Sequence, residues 1–182
     1  MVNFELTDNT SLFLDRDGVI NVRKMGGYVQ SYDEFHFIEG VKEAMKIFHN
    51  KFAHIFIVTN QQGIGKGLMT EEAFETISQK MITEIEEAGG RIDKIYHCSD
   101  IKEKSSPNRK PNVGMAFMAA KDFPQVVFSD SVMVGDSNTD LIFGKRCGMH
   151  TIFIDNHTET DMNKELIDEV FDSLFDYAKS LK

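Results

Sequence analysis

Two carboxylates two residues apart, Asp15 and Asp17, lie in the run Phe13-Leu14-Asp15-Arg16-Asp17-Gly18. An apolar segment ends there, and a glycine lets the chain turn. Carboxylates this close repel unless a proton or a cation intervenes, so the pair suits a divalent metal bound through oxygen. An acidic turn after a strand is the plainer reading, and this motif alone does not decide between them. A second group has the same form: Val134-Gly135-Asp136-Ser137-Asn138-Thr139-Asp140 passes from apolar residues through glycine to an acid, small polar residues and a further acid. If both runs end on one edge of a sheet, Asp136 and Asp140 approach Asp15. Two readings stand for Asp140, metal work and a first-turn acid favoured by the helix dipole. Asp136 repeats the placement of Asp15, directly after a buried run.

Two weaker signals accompany these. Thr59 and Asn60 end another apolar run and could donate hydrogen bonds to phosphate oxygens, although both residue types also suit turns. The glycines at 63, 65 and 67 do not make a nucleotide P-loop, which needs four residues between its glycines and then Lys-Ser/Thr; a flexible substrate loop or a simple turn fits instead. Arg109 and Lys110 precede Pro111 and a helical segment. Paired cations before a helix N-terminus suit a phosphoryl group, and a solvated basic pair is the alternative.

Something must bring these residues together. Short apolar runs at 11–14, 55–59, 92–97, 131–135 and 151–154 have the length and β-branched or aromatic content of buried strands. Helical spacing separates them. Val41, Ala44, Met45 and Phe48 share one face; a longer helix starts at the N-cap Thr70, with Phe74, Ile77, Met81 and Ile85 inward and Gly89-Gly90 as its stop. Further helices are expected over 113–121 and 140–147, and an amphipathic helix over 166–178. Alternating strands and helices predict an α/β fold, a three-layer Rossmann-like parallel sheet with helices on both faces. In such sheets ligands bind at the carboxyl ends of the strands.

Composition sets outer bounds. The 182 residues suit one domain over 1–182, with 41% hydrophobic and 27% charged residues. A net charge of −9 argues against nucleic acid as the partner. Two cysteines, Cys98 and Cys147, are too few for a disulfide framework, so a reducing cytoplasm is expected. The first ten residues lack the basic and apolar parts of a signal peptide. No run reaches the ~20 apolar residues of a membrane span. A monomer or weak homodimer is expected.

In order, the four motifs resemble the haloacid dehalogenase (HAD) superfamily: Asp-x-Asp after strand one, Thr or Ser after strand two, Lys before a later helix, and Gly-Asp-x-x-x-Asp after strand four. FLDRDGVIN, GYV, EFHFIEGV, VTNQQGIGKG, RKPNVGMA and MVGDSNTD are similar to the branch holding the heptose 1,7-bisphosphate and histidinol-phosphate phosphatases. GYV, FIEGV and RKP-x-x-GM lean toward the heptose enzymes. The short interval from Asn21 to Tyr28 leaves no room for a large cap domain.

The resemblance implies a phosphatase in which Asp15 attacks phosphorus and Asp17 acts as general acid, then base. It implies Mg2+ held by the carboxylates of Asp15 and Asp136 and the backbone carbonyl of Asp17, with Asp140 supporting that shell. Thr59 and Lys110 would hold the phosphoryl group, and Asn60 and Arg109 would contact the rest of a small phosphorylated substrate. Many members of the branch carry a structural zinc on Cys-x-His and Cys-x-Cys before Arg-Lys-Pro. Here those stretches read Cys98-Ser99-Asp100 and Ser106-Pro107-Asn108, one ligand of four, so no zinc is expected. Two other classes remain: a non-catalytic binding protein on this scaffold, and a receiver phosphorylated stably on Asp15. Intact charged motifs weigh against the first, and Asp17 beside Asp15 implies hydrolysis rather than storage.

Overall fold

The computed structural model describes residues 4–157 and 161–181; the remaining positions of the expected 1–182 domain lie outside the described residues. Six strands among them form one sheet: β1 (Ser11–Leu14), β2 (His54–Asn60), β3 (Lys94–Cys98), β4 (Ser131–Gly135), β5 (His150–Ile154) and β6 (Glu169–Phe171). Their order is β3-β2-β1-β4-β5-β6, and every pair is parallel. The helices are α1 (Val41–His49), α2 (Gln62–Gly65), α3 (Glu71–Glu87), α4 (Gly114–Asp122), α5 (Asn138–Cys147) and α6 (Leu174–Ser180).

Alternation along the strands builds two cores. Leu12, Leu14, Ile55, Ile57, Val132 and Val134 point to one face and pack under α1, α3 and α6. Phe13, Phe56, Val58 and Met133 point to the other, under α4 and α5. With both faces covered, the central strands carry continuous apolar runs. Thr70 caps α3 as expected, its hydroxyl accepting from the Ala73 N–H at 3.1 Å.

The order of strands creates the site. The chain leaves β1 for β2 and β3, then returns to β4 on the other side of β1. Leu14 pairs with Ile57 on one flank and Val134 on the other. Asp15, Thr59 and Asp136 follow within two residues of that register, so all three emerge at one edge, beside the switch point.

Two elements differ from expectation. The strand expected over 92–97 begins at Lys94, because the Asp93 carboxylate accepts from the Ile55 N–H at 2.7 Å and closes the ladder. The helix expected over 166–178 is instead a 3-10 turn (Lys164–Leu166), the edge strand β6 and the short helix α6. Asp168 accepts from Thr151 N and Oγ1, both at 2.9 Å, which holds the chain in line with β5. Ser173 then starts a new helix by accepting from the Asp176 N–H. Val170, apolar in the pattern, is 53% exposed.

Phe56 is fully buried and meets Phe13 and Phe123 at centroid distances of 5.1 and 4.9 Å. Phe56→Ala should cost about 3–5 kcal/mol, read as a lowered urea midpoint with an unchanged slope.

Candidate active site

Asp15 directly follows β1, its N–H donating to the Val134 carbonyl. Gly18 closes the turn at φ +96°, and a Cβ there would stand 1.9 Å from Asp136 Oδ2. Only glycine lets this turn pass so close to the second acid. Asp136 is fully buried. Its Oδ2 accepts from Asn156 Nδ2 at 2.8 Å, and the same amide donates to the Gly18 carbonyl at 2.9 Å. Asn156 follows β5 and ties the two acidic turns together.

Lys110 is the central cation. Its ammonium lies 2.8 Å from Asp15 Oδ1 and 2.6 Å from Asp140 Oδ1, and all three side chains are buried. The Lys110 backbone is clasped by Asn60, whose Oδ1 accepts from the Lys110 N–H at 3.0 Å while its amide donates to the Lys110 carbonyl at 3.1 Å. Asp140 lies in the first turn of α5. With one oxygen on Lys110 and the other accepting from Ser137 Oγ at 2.6 Å, it serves as a lysine holder.

Asp17 has a different surrounding. Arg16 Nη2 donates to both of its oxygens at 2.9 Å, Asn21 donates to Oδ1 at 3.0 Å, and Gln61 Nε2 donates to Oδ2 at 2.8 Å. Gln61 also donates to the hydroxyl of buried Thr59 at 2.9 Å. Arg16 is 1% exposed; its Nε and Nη1 have no hydrogen-bond partner among the described residues, and its guanidinium lies 5.7 Å from the Phe74 ring. A cation–π contact of that kind offsets part of the burial cost.

These surroundings drive the acids apart. Burial and the Asp140 charge push the Asp15 pKa up to about 6, with Lys110 opposing. Burial, then Asp15 and Asp140, push Asp136 to about 7, against Arg23 and Asn156. Burial also raises Asp17, but the Arg16 charge and the donors from Asn21, Arg16 and Gln61 outweigh it and hold that carboxyl below its ordinary range. Burial alone would lower Lys110, yet Asp140 and Asp15 keep it raised and charged.

Single oxygens of Asp15, Asp136 and Asp140 lie within 4.8 Å of one another. An all-oxygen, anionic set fits a hard divalent cation such as magnesium. A protein cation already approaches it: Arg23 Nη2 lies 2.5 Å from Asp136 Oδ1 and donates to the Asp17 carbonyl at 3.1 Å. The donor set thus fits the ion that the sequence motifs imply.

A cleft of about 670 Å³ opens over this cluster, lined by Asp15, Asp17, Thr59, Asn60 and Lys110 among others. Arg109 stands apart. It does not line the cleft, and its guanidinium donates to the Asp100 carbonyl at 3.2 Å. In the loop that departs from the zinc pattern, Cys98 Sγ lies 3.7 Å from Ser106 Oγ, and His97 pairs with Glu71 at 2.9 Å. Sequence reasoning missed Arg16, Asn21, Arg23, Gln61 and Asn156. Asn156 carried a usable signal, a polar residue just past a strand end like Asp15 and Asp136.

The model of the HAD-hydrolase-like family matches residues 107–177. A D-glycero-beta-D-manno-heptose-1,7-bisphosphate 7-phosphatase of Vibrio cholerae is 36% identical over 91% of this chain and 92% of its own. A D-glycero-alpha-D-manno-heptose-1,7-bisphosphate 7-phosphatase of Campylobacter jejuni is 34% identical over 83% of this chain and 85% of its own. Among solved structures, D,D-heptose 1,7-bisphosphate phosphatase from B. bronchiseptica, complexed with magnesium and phosphate, superposes with a TM-score of 0.85. It is 25% identical, covering 94% of this chain and 97% of that one.

The raised acids give a pH signature. With folded pKa values of about 6 and 7 against 3.8 ordinarily, Asp15 and Asp136 bind more protons folded than unfolded. Their contribution to stability is full below the unfolded value and is lost as pH rises through the folded ones. Magnesium, which competes with those protons, should therefore raise the melting temperature more at about pH 7.5 than at about pH 5. Scanning fluorimetry with Mg2+ or EDTA measures this; equal increments would contradict cation binding by these carboxylates.

Proposed function

This chain belongs to the HAD-like hydrolases, in the branch of the heptose-1,7-bisphosphate phosphatases, and is a phosphatase; we propose that it removes the 7-phosphate of a D-glycero-D-manno-heptose 1,7-bisphosphate through a phosphorylated Asp15. The observation that carries this reading is the contrast between two acids at the head of one cleft. Asp15 is lysine-bound with a raised pKa, and Asp17 is held by four hydrogen bonds with a lowered one.

In the first step an Asp15 carboxylate oxygen bonds to phosphorus, and the bond to the sugar oxygen breaks. Asp17 passes a proton to that oxygen. In the second step Asp17 takes a proton from water, the water oxygen bonds to phosphorus, and the bond to Asp15 breaks, releasing inorganic phosphate. The covalent intermediate divides one hard displacement into two easier ones. A pKa of about 6 leaves Asp15 largely ionised at neutral pH, as a nucleophile must be. The donors around Asp17 preset its base form. The acid form is promoted by the approaching phosphate, because a nearby like charge disfavours ionisation.

Lys110 and Thr59 hold the phosphoryl oxygens, and donors fixed in advance stabilise charge as it develops. Asn60 acts through its clasp on Lys110, and Gln61 aligns Thr59 with Asp17. Magnesium would be held by Asp15, Asp136 and the Asp17 carbonyl, and when bound it supplies charge neutralisation at the transferred group. Arg109, expected at the substrate, has its guanidinium on the Asp100 carbonyl at 3.2 Å.

The remaining features follow from the same reading. The chain acts as one domain over 1–182, a monomer or weak homodimer, on small molecules rather than nucleic acid. No helix among the described residues is long and apolar enough to cross a membrane, and we place the enzyme in the cytoplasm. Histidinol phosphate is the second substrate candidate, from the same branch, and a generic small-molecule phosphate ester is the third, because the altered 98–108 loop departs from the pattern of the zinc-bearing members.

Asp15→Asn should lower turnover by ~10⁴-fold or more, with circular dichroism and melting temperature retained. Phosphate release from both anomers of the heptose bisphosphate and from histidinol phosphate tests the substrate. Preference for histidinol phosphate would overturn the sugar assignment, and turnover retained in Asp15→Asn would overturn the nucleophile.

A further inference from the structure

We propose that Arg23 is an exchangeable counter-ion of the carboxylate cluster, and that magnesium enters the site by displacing it. Arg23 makes contact with two chain segments at once. Its Nη2 lies 2.5 Å from Asp136 Oδ1, and Nη2 and Nε donate to the Asp17 carbonyl at 3.1 and 3.3 Å. These are two of the three acceptors that the proposed function gives to the cation, so the inference rests on that reading. A guanidinium and a divalent ion on the same carboxylate oxygen repel each other at close range.

Asp136 cannot avoid the competition by turning. Its other oxygen is held by Asn156 at 2.8 Å, and the Gly18 backbone is packed so closely that even a Cβ there would lie 1.9 Å from it. Arg23 can give way. Its side chain is 33% exposed against 0% for Asp136, and it reaches in from the cleft wall, in a segment whose next four residues are exposed. The contrast with Lys110 defines the device. Lys110 is 1% exposed, joined to two carboxylates and clasped at its backbone, so it stays.

Charge gives the exchange its direction. Lys110 and Arg23 together leave the trio of Asp15, Asp136 and Asp140 one positive charge short of neutrality when all three are ionised. Replacing a monovalent guanidinium with a divalent ion closes that gap. Arg23 thus holds Asp136 and the Asp17 turn together when magnesium is not bound, and its departure makes room for the ion.

The test is calorimetric titration of magnesium into wild type and Arg23→Gln. The variant should bind magnesium more tightly, by on the order of tenfold, the factor by which an arginine-closed fraction of about nine-tenths lowers apparent affinity. It should also melt at a lower temperature in EDTA. Equal or weaker affinity in the variant overturns the exchange. Wild type that takes up no magnesium overturns the metal reading itself, which separates the two failures. Should the variant not fold, nitrogen-15 resonances of the wild-type arginine side chains decide. The Arg23 Nε–H signal should move on adding magnesium, and an unmoved signal overturns the proposal.

Discussion

The buried ammonium of Lys110, held between Asp15 and Asp140, is the interaction on which the rest depends. Three carboxylates within 4.8 Å could not share this interior unless cations stood among them. Removing one partner of such a network strands the others, so each element that places Lys110 also protects the acids. Asn60 does so from the end of β2 through the lysine backbone, and Ser137 does so by steadying Asp140. The parallel sheet makes this affordable in geometric terms, since three neighbouring strands deliver their acids and amides to one edge without any long excursion of the chain.

Around that centre the fold treats two acids in opposite ways. Asp15 and Asp17 are two residues apart, yet one is raised by burial and like charge, and the other is held down by an arginine and two amides. Environment rather than residue type separates the proton affinities of the two carboxyls. Gln61 belongs to both halves of the arrangement, because a single amide spans Asp17 and the Thr59 hydroxyl.

Much of this was legible in the residues. The strand ends bearing Asp15, Thr59 and Asp136 follow from apolar runs stopping at polar residues, and the two-faced sheet follows from alternation. The 166–178 segment was not legible, because Leu166, Ile167, Val170 and Phe171 mimic a helical stripe while Asp168 pins the chain to β5. Asn60, expected at the substrate, lines the cleft and also clasps the Lys110 backbone, a contact fifty residues away that no local pattern encodes. Arg16 was hidden for a related reason. A charge between two acids reads as a solvated turn until burial and the Phe74 ring show otherwise.

The central place of β1 also has a consequence in time. β1 is made first, yet its neighbours in the sheet are β2 and β4, and the lysine that meets Asp15 lies 95 positions later. A chain not yet extended to Lys110 lacks both the ammonium and the Asp140 charge that flank Asp15 in the folded protein. The altered chemistry of Asp15 arises only when the stretch through Asp140 has been synthesised and docked. An unfinished chain therefore carries no half-built acid cluster, which comes together with the sheet.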